Sequence, residues 1–183
     1  MCIRDRYKVN PPLRRREDVE ALRAALADGT IDIVATDHAP HPAEAKHCEW
    51  PAAANGMVGL ESALSVVHAA VVEDGRLDWS DVARVLSSAP ARIGQVEGHG
   101  HAITEGAPAE VTLYDPSAVR EFAVTDLAGQ SQNSPYLGMR LPGRVVATFH
   151  QGYLTLLDGA LVDPDTVAAA ARSAARATEG TRA

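Results

Sequence analysis

A chain of 183 residues suffices for one ordinary domain but falls short of a complete eight-fold barrel, which takes about 250 residues. Its 24 acidic and 17 basic residues leave a net charge of -7, so no basic surface is offered to a phosphate backbone and nucleic acid is not an expected partner. Two cysteines, Cys2 and Cys48, make no disulfide framework, and no apolar run has membrane or signal-peptide length, which points to a cytoplasmic, reducing setting with no membrane partner.

In chain order, residues 1–6 (MCIRDR) carry no capping or strand pattern and read as a doubtful, non-native start. From Glu17 the apolar positions Val19, Leu22, Ala25 and Leu26 recur at helical spacing, and Gly29 suits the left-handed residue that ends a helix. Ile31 to Thr36, IDIVAT, is β-branched and apolar almost throughout, as expected of a strand covered on both faces. A loop from Asp37 to Gly56 follows, long enough to be functional. A second helix is expected from Val58 to about Glu73, and a third from Asp78, where Asp81 three residues on resembles a capping box, to about Ser88. Pro90 starts a short helical turn, Ala91 to Ile93. Beyond Gly94 the pattern changes to β-like runs at Glu110 to Asp115, Arg144 to His150 and Tyr153 to Gly159. The tail 163–183 is rich in Ala and Arg and reads as a solvated helix or as disordered. The fold class is α/β: a partial barrel over 7–94, then a β appendage over 95–162, with the boundary near Gly94 to Gly106.

Chemistry concentrates at Asp37-His38-Ala39-Pro40-His41, where the buried strand ends. The carboxyl end of a barrel strand faces the active site, so a carboxylate there is placed to bind metal or move a proton. The residues alone leave a second reading open, in which Asp37 caps the following turn. One of His38 and His41 is expected to be structural, bonded to backbone. His41, His47 and Cys48 lie close together, but their spacing matches none of the usual closed zinc sites. His99 and His101, among glycines, read as a solvated turn. In Lys8-Val9-Asn10-Pro11-Pro12, the prolines stiffen the chain and hold Asn10 in a β-like conformation that aims its amide.

These residues resemble the dihydroorotase branch of the amidohydrolase superfamily, through KVNPPLR, GTIDIVATDHAPH, GMVGLE, the Ser87 to Ile93 segment and SQNSPYLGMRLPGRV, over about Tyr7 to Val162. Allantoinases and hydantoinases look similar around PPLR and DHAP, but Asn10 and His41 fit the dihydroorotase version better. The resemblance implies the last strands and helices of a metal-dependent hydrolase TIM barrel plus part of a β-sandwich. It implies that Asp37 binds a catalytic metal, zinc in a binuclear site, and carries the proton from attacking water to the leaving amide nitrogen. It implies further that Asn10 and His41 hold the substrate ring and its carboxylate, and that backbone around Asn55 and Gly56 hydrogen-bonds the substrate. Dihydroorotate and N-carbamoyl-aspartate are then the small-molecule partners. The parent is expected to be a homo-oligomer or to associate with aspartate transcarbamoylase, of which a non-catalytic scaffold subunit is a competing reading.

The chain also departs from the family. Its His-x-His pair, bridging carboxylate or modified lysine and two further histidines belong upstream of NPPLR, so this chain by itself is expected to be an inactive fragment. Glu110 stands where the family often has Asp.

Overall fold

The computed structural model describes residues 6–163 and 165–166. Residues 1–5 of the expected non-native start, and nearly all of the expected Ala-rich tail, lie outside the described residues. Contacts divide the chain into two units, residues 6–100 with 119–142 and residues 101–118 with 143 onward.

The first unit is mainly helical. Helix α1 (Arg16–Ala27) ends as its sequence requires: Asp28 N–H bonds to Ala24 O, and Gly29 follows at φ 82°. Only Leu26 of its apolar positions is buried, while Val19 and Leu22 remain exposed. The short α2 (Ala43–Lys46) lies within the long loop. The second expected helix starts later than its periodicity suggests, at α3 (Ala63–Val67), because Val58 to Leu60 have other partners: Val58 N–H bonds to Asn133 O, and the N–H groups of Gly59 and Leu60 both donate to His38 Nδ1. It continues through a π-helical stretch, His68–Val72. Helix α4 (Trp79–Ala83) has the expected capping box, Asp78 accepting from Asp81 N–H at 2.9 Å. A second π-helical stretch, Arg84–Ser88, leads into α5 (Ala89–Gly94), with Pro90 in its first turn and Gln95 left-handed behind it. Leu26, Val67, Val71, Leu77, Val82 and Val85 form the core, and Ile31 and Val34 pack against it.

The expected strand Ile31 to Thr36 is corrected: it is buried in part but forms no ladder. A ladder needs a neighbour running alongside, and among the described residues the only parallel pairing is one bridge, His38 to Met57. Val34 N–H donates to Val85 O instead, at 3.0 Å.

The sheet runs β1 (Val111–Glu121), β2 (Arg140–His150), β3 (Tyr153–Leu157), β4 (Ala160–Leu161), in that spatial order, with β2–β3 and β3–β4 antiparallel. All three expected β-like runs fall on strands. Both hairpins in the second unit use two left-handed residues, Gln151-Gly152 and Asp158-Gly159, the conformation whose twist matches a tight antiparallel turn. Glu110 braces the first of these, accepting from Gln151 N–H at 2.8 Å and meeting His150 Nδ1 at 3.0 Å, while Gly152 N–H reaches Ala109 O. The chain is thus mixed helix and sheet, with one four-stranded sheet among the described residues.

Candidate active site

Asp37 is exposed and sits at φ 47°, in the left-handed region that Asp tolerates better than most residues and that recurs where a side chain is aimed for function. It lines a cavity of about 270 Å³ whose other walls include Val9, Pro11, Met57, Val58 and Tyr136. Asn10 stands between two of those wall residues, is exposed, and joins Pro11 through a cis peptide bond. The cavity therefore brings the NPP segment and the end of IDIVAT to one place. Burial, and then the neighbouring Tyr7, pushes the Tyr136 phenol above its ordinary range, so this wall is poorly solvated.

The two imidazoles have separate roles. His38 Nδ1 accepts from two main-chain N–H groups, which fixes the hydrogen of a neutral ring on Nε2 and makes His38 a structural brace at the entry to α3. His41 is half-buried, and its Nε2 lies 2.8 Å from Asn55 O, an oxygen that can only accept, so Nε2 donates and Nδ1 remains for other partners. His41 lines a second cavity of about 280 Å³ with Lys46, His47 and Asn133, not the one that Asp37 lines. Asn55 is exposed. Gly56 is buried at φ 131°, and a Cβ there would stand 2.6 Å from Ala39 Cβ and 3.0 Å from His41 Nε2, so the close approach requires glycine.

Three polar residues that fasten this loop are not singled out by sequence reasoning. Asn133, 3% exposed, donates to Ala39 O and Gly56 O and accepts from His41 N–H at 3.2 Å, clamping the two sides of the loop together. Lys46, 1% exposed, donates to Ala54 O at 2.8 Å and Gly56 O at 2.9 Å. Lys8 donates to the carbonyls of Trp50, Pro51 and Ala53, and its ammonium lies 5.9 Å from the centre of the Trp50 ring. A polar residue inside an otherwise loop-like stretch is the only local signal for any of them, and it does not distinguish a buried clamp from a solvated side chain.

The fit to a metal is incomplete. Among the described residues no group of three or more His, Cys, Asp or Glu side chains is placed to hold an ion. His41, His47 and Cys48 do not assemble one; Cys48 Sγ lies 3.7 Å from Ala45 O. His101 bonds its own neighbour's carbonyl, Ala102 O, and is exposed. Asp37 is a single carboxylate, and a protein zinc site takes three or four protein ligands.

A carboxylate in strained backbone at the end of a buried segment, opening on a largely apolar cavity and followed by a long, tightly fastened loop, is the arrangement at the active-site rim of a barrel-type α/β hydrolase. The chain belongs to the Amidohydrolase family, whose model matches residues 5–155. It is 72% identical over 158 residues to a dihydroorotase of Leifsonia xyli subsp. xyli and 58% identical over 155 residues to a dihydroorotase of Streptomyces coelicolor, covering 86% and 85% of this chain and 36% of each relative. The chain thus spans 36% of the length of these relatives. Among solved structures it is similar to an L-hydantoinase (dihydropyrimidinase) from Arthrobacter aurescens, with TM-score 0.80 and 29% identity over 88% of this chain and 37% of that one. A D-hydantoinase (dihydropyrimidinase) from Thermus sp. matches with TM-score 0.73 and 28% identity, over 86% of this chain and 35% of that one. These likenesses fit part of a hydrolase TIM barrel.

Proposed function

We propose that this chain supplies the Asp37 side of the active site of a dihydroorotase, which adds water across the cyclic amide of dihydroorotate to give N-carbamoyl-L-aspartate, and the reverse. The observation that carries the proposal is the joint placement of Asp37 and the Asn10 segment around one cavity beside a loop fastened at His41, Asn55 and Gly56. The high identity to relatives named dihydroorotase supports this substrate over hydantoin or allantoin.

In this reading Asp37 takes a proton from the attacking water as the C–N bond comes under attack, then returns it to the departing ring nitrogen, so one carboxylate acts first as base and then as acid. Asn10 donates its amide to the substrate carboxylate. His41 contributes through Nδ1, since Nε2 is committed to Asn55 O, and Nδ1 donates to an anion only from the protonated ring. Asn55 and Gly56 present main-chain groups to the substrate ring. The metal of this reading is zinc with Asp37 as one ligand; the other ligands are not among the described residues. Residues 7–94 are then the barrel part and 95–162 part of a β-sandwich, in a cytoplasmic enzyme. A non-catalytic scaffold for aspartate transcarbamoylase has no physical need of an exposed carboxylate in left-handed backbone on a cavity wall.

The test is a hybrid in which residues 7–162 replace the matching segment of the Leifsonia xyli relative. Purified hybrid is expected to interconvert dihydroorotate and N-carbamoyl-aspartate; turnover of hydantoin or allantoin in preference to dihydroorotate would replace this reading with that of another cyclic amidase.

A further inference from the structure

Three successive carbonyls at the end of the long loop are each held by a side chain. Ala54 O and Gly56 O both accept from Lys46 Nζ, at 2.8 and 2.9 Å, and Asn55 O between them meets His41 Nε2 at 2.8 Å. Lys46 Nζ also lies 3.5 Å from Lys8 O, and Lys8 O itself accepts Gly56 N–H at 2.9 Å. An ammonium has three donors, and here they converge on main-chain oxygens of two segments far apart in sequence, from a side chain 1% exposed. Charge-assisted bonds of this kind are stronger and more directional than neutral ones, and the low dielectric of a buried site strengthens them further. The NPP segment and the Asn55 segment are therefore tied to one buried cation.

We propose that Lys46 is a positioning residue for substrate recognition, setting the conformation of residues 54–56 and their register against Lys8 so that Asn55 and Asn10 are presented to the substrate together. The inference rests on the dihydroorotase reading and deepens it. Asn55 N–H meets no acceptor among the described residues, while the carbonyls on both sides of it are fixed, so the segment is ordered in advance of a ligand. Pre-ordering removes the entropy of fixing this segment from the binding step, and it acts on affinity because Lys46 does not line the cavity that holds Asp37.

The experiment uses the hybrid enzyme described above with Lys46→Met, which keeps much of the volume and removes the donors. The expected result is a rise in KM for dihydroorotate of about 10-fold or more with kcat changed by less than about 3-fold. Lys46→Arg, which keeps the cation, is expected to recover part of the affinity lost by Lys46→Met, a recovery that a side chain filling space alone would not give. If Lys46→Met does not fold, Lys46→Gln, whose amide keeps two donors, carries the same comparison of KM and kcat. An unchanged KM in the variants that fold, or a loss confined to kcat, overturns the proposal. Hybrid that is inactive on dihydroorotate with Lys46 intact overturns the functional reading instead, and this inference with it.

Discussion

Replacing Asn133 with alanine removes the clamp between the two sides of the candidate substrate loop. Three hydrogen bonds go: to Ala39 O at 2.9 Å, to Gly56 O at 3.2 Å and from His41 N–H at 3.2 Å. Gly56 O keeps Lys46 Nζ at 2.9 Å, so the unreplaced losses are those at Ala39 O and His41 N–H. At about 1–1.5 kcal/mol for each bond of this kind the loop loses about 2–3 kcal/mol against local opening. With about 1.4 kcal/mol per factor of ten, that is about 30- to 150-fold faster hydrogen exchange at amides exposed by the opening. Ala39 N–H and Gly56 N–H are the reporters to follow, since their own acceptors, Met57 O and Lys8 O, stay in place. Exchange is measured by mass spectrometry on peptides covering 38–58 of the hybrid enzyme. Acceleration of less than about 3-fold at both amides would refute the assignment of Asn133 as the clamp.

Gly56→Ala forces a Cβ against Ala39 and His41 Nε2 in backbone at φ 131°, and is expected to cost about 2–4 kcal/mol and to raise KM; a thermal melt and KM both at wild-type values would contradict the close approach. The Tyr136 phenol, raised by burial and then by Tyr7, contributes stability that is present below the ordinary tyrosine value near 10 and is lost as pH rises through the higher folded value. Phenolate absorbance is expected to lose its most alkaline component in Tyr136→Phe, and an unchanged alkaline end would count against it.

Much of the fold is written in local pattern. Gly29 after Leu26, the Asp78 and Asp81 capping pair, Pro90 in the first turn of α5 and the Gln151-Gly152 and Asp158-Gly159 hairpins are short-range signals, and the structure uses each as the chain's local chemistry requires. Ile31 to Thr36 shows the limit of such signals: composition reports that a segment is apolar and β-branched, whereas a strand is a relation to a neighbour. The late start of α3 has the same origin, because helical periodicity from Val58 says nothing of the competing bonds to Asn133 and His38. At the candidate site, Asp37 and Asn10 are legible from their placement beside an apolar run and two prolines. Lys46 and Asn133 are not, since their partners are main-chain carbonyls up to 94 residues away, which leave no trace in residue type.

The most direct test of the central claim is the steady-state rate of the hybrid enzyme on dihydroorotate with Asp37 intact and with Asp37→Asn. Asparagine tolerates the left-handed conformation at φ 47° as well as aspartate does, so the variant is expected to keep its melting temperature. The account predicts a fall in kcat of about 10²- to 10⁴-fold with the fold retained, the effect of removing a proton-transfer group. A kcat within about 3-fold of the parent hybrid would contradict it, and would reduce Asp37 to the cap of a turn.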